Sequence, residues 1–200
     1  MLWKTEFSSL LKEFELKHQP VIIRVNKFDE ASAKDFNNRM AAAQSTGQPV
    51  VPVVIDSYGG QVYSLMSMIS AIKSSDIPVA TIVEGKAMSC GAVLLSFGEQ
   101  GLRFADENAT IMIHDVSSGG RGKIEELKAD VAEADRLDEK IFTMMARNCG
   151  KKDDYFKKKV FNKKHADWFM GAEEAKRHGL VNHIRVPKMT VKVDVDIEFE

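Results

Sequence analysis

The run Val50-Val51-Pro52-Val53-Val54-Ile55 is apolar without a break, and it ends at Asp56-Ser57-Tyr58-Gly59-Gly60. A strand that half faces water alternates apolar with polar residues. A strand with no polar side needs cover on both faces, as in a parallel sheet layered with helices. The rest of the chain agrees. Val21–Val25 and Pro78–Val83 read as further strands, and Thr110–Ile113 as one that stops at His114. Between them lie helical stretches. Asp29 is placed to cap a helix running to about Gln44, with Gly47 after its end. Gln61–Lys73 carries apolar residues at helix spacing, and Ala87–Phe97 reads as a buried helix. The sequence therefore predicts an α/β fold. With 200 residues, it predicts a single domain over 1–200.

Composition narrows the function. The formal net charge is -1, which gives no global pull toward nucleic acid or anionic membrane. No apolar stretch reaches the roughly 20 residues of a membrane span. The opening segment MLWKTEFSSLLKEF interrupts its apolar residues with charges, unlike a secretory signal. Two cysteines, Cys90 and Cys149, make no disulfide framework and read as free thiols in a reducing compartment. A cytoplasmic protein is expected, with no cofactor, no metal, and neither nucleic acid nor membrane as partner.

Two long features stand apart. Lys123–Asn148 reads as one helix, roughly 39 Å long at 1.5 Å per residue. It follows a glycine-rich loop at 117–122. A 200-residue globule has difficulty covering that length, so either a partner subunit or a long edge position is implied. Lysine-rich Lys151–Lys164 reads as a solvated helix face. The last residues, Thr190–Phe199, alternate strictly and read as a half-buried strand with an acidic outer face.

Three segments carry groups suited to acyl transfer. Gly59-Gly60 follows the buried strand and offers backbone N–H groups that can approach a ligand closely. Ser89 stands at the start of an apolar helix among Gly85, Ala87, Gly91 and Ala92, with Cys90 beside it. Alone, such a serine would more simply cap the helix. Cys90 is a rival nucleophile, but neighbouring helix residues diverge, and it is read as core-facing with its N–H turned to the oxyanion. His114 is delivered to a strand end by three apolar residues. Histidines 18, 165, 178 and 183 have no comparable setting. For a third group to orient the imidazole, Asp115 and Asp167 are candidates. Asp167 lies among bulky apolar residues in His165-Ala166-Asp167-Trp168-Phe169-Met170. The residues alone do not choose between them.

At Asp56–Gly60, Gly85–Gly98, Phe104–His114, Phe169–Ala175 and Gly179-Leu180-Val181, the sequence resembles the Clp protease proteolytic subunit family, the ClpP serine peptidases. The resemblance implies Ser89 as nucleophile, His114 as general base and Asp167 as the triad aspartate. It implies the N–H groups of Gly60 and Cys90 as the oxyanion hole. It implies repeated βαβ units in a globular head, with Lys123–Asn148 as a handle helix. It also implies a homo-oligomer of paired heptameric rings that encloses a chamber, takes peptide or unfolded protein, and works with an AAA+ unfoldase. There are departures. Tyr58 stands where the family usually has proline, and Asp115-Val116 where it commonly has Gln-Pro. The region before Val21 does not match the family's axial gating loops. The strand Thr190–Phe199 runs past the usual family end near Ile184. These features fit a divergent or viral relative. Two other readings compete: a crotonase-like acyl-CoA enzyme, and an inactive ring subunit or assembly scaffold.

Overall fold

The computed structural model describes residues 2–5, 14–15, 19–117, 119 and 121–192. In chain order the elements begin with β1 (Leu2–Thr5), β2 (Phe14–Glu15) and β3 (Ile23–Val25). Next come α1 (Glu30–Ala43), β4 (Val51–Ser57), α2 (Val62–Lys73) and β5 (Val79–Met88). The middle of the chain supplies α3 (Cys90–Leu95), β6 (Arg103–Ala105), β7 (Thr110–Ile113) and α4 (Ile124–Asn148). It closes with α5 (Tyr155–Asn162), β8 (Trp168–Gly171), α6 (Ala172–Arg177), β9 (His183–Ile184) and β10 (Met189–Lys192).

The expected α/β architecture is present. A parallel sheet runs in the order β3-β4-β5-β6-β9. The unbroken apolar run of β4 is explained by cover on both faces. Val51, Val53 and Ile55 belong to the main core with Phe36, Leu65 and Leu94. Val50 and Val54 join a smaller cluster with Ile82 and Phe104 on the other face. The α1 start signal is met at its expected place. Asp29 Oδ1 accepts from the Ser32 N–H at 2.8 Å, and Ser32 Oγ accepts from the Asp29 N–H at 2.9 Å.

One boundary departs from the sequence reading. β5 does not stop at Val83 but continues to Met88, so the expected helix Ala87–Phe97 shrinks to Cys90–Leu95. Alanine and methionine are good helix formers. Here strand pairing overrides that preference, because Lys86-Ala87-Met88 lie in parallel register with Thr110-Ile111-Met112 of β7.

The long helix forms over Ile124–Asn148, with Lys123 at the cap position. Its buried residues start only at Leu137, while Ile124 is 72% exposed and Val131 61%. Its middle is fixed to α2, where the Tyr63 hydroxyl donates to Glu133 Oε1 at 2.7 Å. Arg136 grips the same carboxylate through two bonds of 2.7 Å, and Arg136 and Tyr63 together hold it down to a pKa of about 2. The lysine-rich helix α5 buries only Phe156 and Val160, as a solvated face requires. β10 pairs antiparallel with β1, which pairs with β2, in a separate three-stranded sheet. The remainder of the expected terminal strand, from 193 on, lies outside the described residues. Among the described residues no helix is long and apolar enough to cross a membrane.

Candidate active site

Parallel pairing of β5 with β7 decides which residues meet. Met88 is in register with Met112, so the next residue, Ser89, and the end of β7 emerge at the same edge. The Ser89 N–H donates to the Met112 carbonyl at 2.9 Å and fixes that edge. His114 follows Ile113 immediately, half-buried. Ser89, His114, Gly60 and Cys90 line one cavity of about 60 Å³, completed mainly by apolar side chains such as Val93, Ile141 and Met145.

The backbone at Ser89 is unusual. It turns from strand into helix at φ 53° and ψ -121°, a region that non-glycine residues avoid. Such a conformation costs on the order of 1–3 kcal/mol and persists only where surrounding structure enforces it. The capping explanation does not hold, because the Ser89 side chain makes no cap hydrogen bond. A sharp, strained strand-to-helix turn lifts a serine hydroxyl clear of its own backbone.

Glycines make the close packing behind this turn feasible. Gly59 has φ +109°, and a Cβ there would lie 2.7 Å from the Ser89 Cβ. Gly60 has φ +149°, and a Cβ there would lie 2.4 Å from the Phe28 carbonyl oxygen. The Gly-Gly pair is thus a tight turn packed directly against Ser89 on one side and Phe28 on the other. Tyr58 points away into solvent, 75% exposed, with Lys86 Nζ 4.4 Å from its ring centre. The same Nζ holds Asp56 Oδ1 at 2.9 Å.

Cys90 is buried, and its thiol donates to the Gly60 carbonyl at 3.3 Å. Burial pushes that thiol up to about 11, so at neutral pH it is a poor nucleophile. This agrees with its reading as core-facing. As the first residue of α3, its N–H has no partner within the helix.

Asp167 differs from the sequence expectation. It is exposed rather than partly buried. Strand alternation is the reason: Trp168 and Met170 turn inward while Phe169 is 55% exposed, and Asp167 falls on the Phe169 side. It does not line the Ser89 cavity. It stands one step past Trp168, whose partner in the antiparallel β7–β8 ladder is Ile113, so its counterpart along the chain is His114. Among the described residues no hydrogen bond joins Ser89 to His114 or His114 to Asp167.

Asp115, the other candidate, does line the Ser89 cavity, and its Oδ2 contacts His165 Nδ1. Of the other histidines, His178 bonds the Tyr155 hydroxyl at 2.7 Å and His183 meets the Gly101 carbonyl at 2.9 Å, both structural. His18 lies outside the described residues. One residue lining the cavity escaped the sequence reading, and the partner of Asp115, His165, was given no role there. Asp138 is buried, and its Oδ1 accepts the Val116 N–H at 3.0 Å. Burial pushes this carboxyl above its usual range, an effect partly offset by that bond. A signal existed, since Asp138 sits three residues before Ile141 on the apolar stripe of the long helix. His165 carried no such signal.

The sequence matches the Clp protease family across residues 5–188. The chain belongs to the Clp protease family. It is a serine endopeptidase of that type, which sets aside the acyl-CoA alternative. A similar protein is the ATP-dependent Clp protease proteolytic subunit 2 of Frankia casuarinae. It is 30% identical over 179 residues, covering 89% of this chain and 78% of that protein. Another is the ATP-dependent Clp protease proteolytic subunit of Deinococcus radiodurans. It is 33% identical over 134 residues, covering 67% of this chain and 64% of that protein.

Proposed function

We propose that this chain cleaves peptide bonds in unfolded proteins or peptides through an acyl-enzyme formed on Ser89. Ser89 Oγ attacks the scissile carbonyl while His114 takes its proton. The N–H groups of Gly60 and Cys90 hold the oxyanion. His114 then returns the proton to the leaving amine, and a water molecule releases the acyl group by the reverse steps. Asp167 fixes the imidazole tautomer from the neighbouring strand. The observation that carries this reading is the strained, uncapped Ser89 sharing a cavity with His114. Catalytic hydrogen bonds commonly tighten only with substrate in place, so the open spacing of the three side chains is compatible with it.

The chain acts as a homo-oligomer of heptameric rings stacked in pairs, with the long helix as the contact between subunits. The uncovered first half of that helix supports this. An AAA+ unfoldase is the partner, in keeping with relatives named as proteolytic subunits of ATP-dependent proteases. The cytoplasm is the expected compartment, and the whole chain acts as one domain. The test is hydrolysis of an unstructured peptide by Ser89→Ala and His114→Ala proteins. Each should lose turnover by a factor on the order of 10³ or more. Undiminished hydrolysis by the Ser89→Ala protein would exclude the mechanism.

A further inference from the structure

The backbone ladder between β7 and β8 ends at the pair Ile113–Trp168. Past that step lie the two residues assigned to catalysis, His114 on one segment and Asp167 on the other. Among the described residues no backbone hydrogen bond joins these segments there. The link is made by side chains. Asp115, next to His114, contacts His165, two residues before Asp167. The pair therefore crosses between the same two segments as the proposed His114–Asp167 contact, with carboxylate and imidazole exchanged.

Two further observations show that this link is built into the fold. Lys164 and His165 both have φ 58°, consecutive left-handed residues with no glycine between them. This turn follows the end of α5 directly and aims the His165 ring back at Asp115. On the other side of Asp115, the Val116 N–H is held by Asp138 of the long helix at 3.0 Å. The segment that carries His114 is thus gripped at two successive residues, from α4 and from the turn after α5. The cavity beside the pair is about 320 Å³ and also presents Asp135, Asp138 and Lys157.

We propose that Asp115 and His165 are positioning residues, whose side-chain contact keeps His114 and Asp167 at the spacing that proton transfer from Ser89 needs. This rests on the catalytic roles given above. A side-chain contact this exposed adds little to stability. Its effect falls instead on geometry, where a displacement of about 1 Å lowers turnover by up to about a hundredfold.

The test compares wild-type protein with Asp115→Asn, His165→Ala, the two combined, and the exchange Asp115→His with His165→Asp. The probe is an unstructured fluorophore–quencher peptide, with melting measured alongside. Each single variant should lose about tenfold or more in kcat with KM within twofold. The combined variant should be no worse than the singles, and the exchange should recover at least half of the rate. A kcat within twofold of wild type in both singles would overturn the proposal. So would losses that multiply in the combined variant with no recovery in the exchange. The Ser89→Ala protein separates the two levels of the argument. If it still turns over peptide, the catalytic assignment fails. If it is inactive and the Asp115 and His165 variants are normal, only the positioning role fails.

Discussion

Replacing Gly59 with alanine probes the packing that sets Ser89 in place. The new Cβ would sit 2.7 Å from the Ser89 Cβ, 3.1 Å from the Met88 carbonyl oxygen and 3.2 Å from Ser89 Oγ. All three lie on the strained turn. Holding an alanine at φ +109° costs on the order of 1–3 kcal/mol. Relieving the overlap adds about 1–3 kcal/mol, as for overpacked cores. The sum is about 2–6 kcal/mol, and in a chain of this size it should lower Tm by roughly 5–20 °C. Because the overlap is with the Ser89 Cβ, the proposed mechanism predicts that turnover falls more than stability implies. Thermal melting, together with peptide hydrolysis well below Tm, reads both effects. The overlap is isolated by repeating the change in a Ser89→Gly background. There the backbone cost and the 3.1 Å approach to the Met88 carbonyl oxygen remain while the closest overlap is gone, so the two changes should couple by about 1–3 kcal/mol. Equal costs in both backgrounds, or a Gly59→Ala protein with wild-type Tm and rate, would refute the claimed contact.

Two further outcomes follow from a half-buried hydrogen-bond acceptor and from the buried thiols. Asn182 Oδ1 accepts from the N–H groups of Gly101 and Arg103 and from Arg103 Nε, at 3.0, 3.1 and 3.2 Å. Asn182→Ala should therefore destabilise by about 3 kcal/mol in urea unfolding, and a loss under about 1 kcal/mol would contradict the role given to Asn182. Burial raises both cysteine thiols from 9.0 to about 11. Folded protein should resist iodoacetamide at pH 8 while urea-unfolded protein reacts at both sites. The thiol contribution to stability should be complete below about pH 9 and be lost between 9 and 11. Rapid alkylation of Cys90 in folded protein at pH 8 would count against its buried, core-facing placement.

Much of this arrangement was legible in the sequence because it is written in local patterns. The two-sided apolar run of β4, the Asp29–Ser32 cap and the strand ending at His114 each depend on neighbouring residues alone. Ser89 was harder. Its segment, Ala87-Met88-Ser89-Cys90, favours helix locally, and only pairing with β7 shows that the chain is still strand at Met88. The strain that marks Ser89 is a product of that pairing. The exposure of Asp167 follows from the two-residue period of β8, which becomes visible once Trp168 is known to face the core. The Asp115–His165 link spans fifty residues and depends on a left-handed turn at residues that give no sequence cue for one. No local pattern encodes it.

The central claim, that Ser89 is an activated nucleophile, is tested most directly by treating the folded, assembled protein with a fluorophosphonate and mapping the modified peptide by mass. The account predicts one adduct per chain, on Ser89, and its loss in the His114→Ala protein. An unmodified Ser89 in well-folded oligomer, or an adduct on another residue, would contradict it.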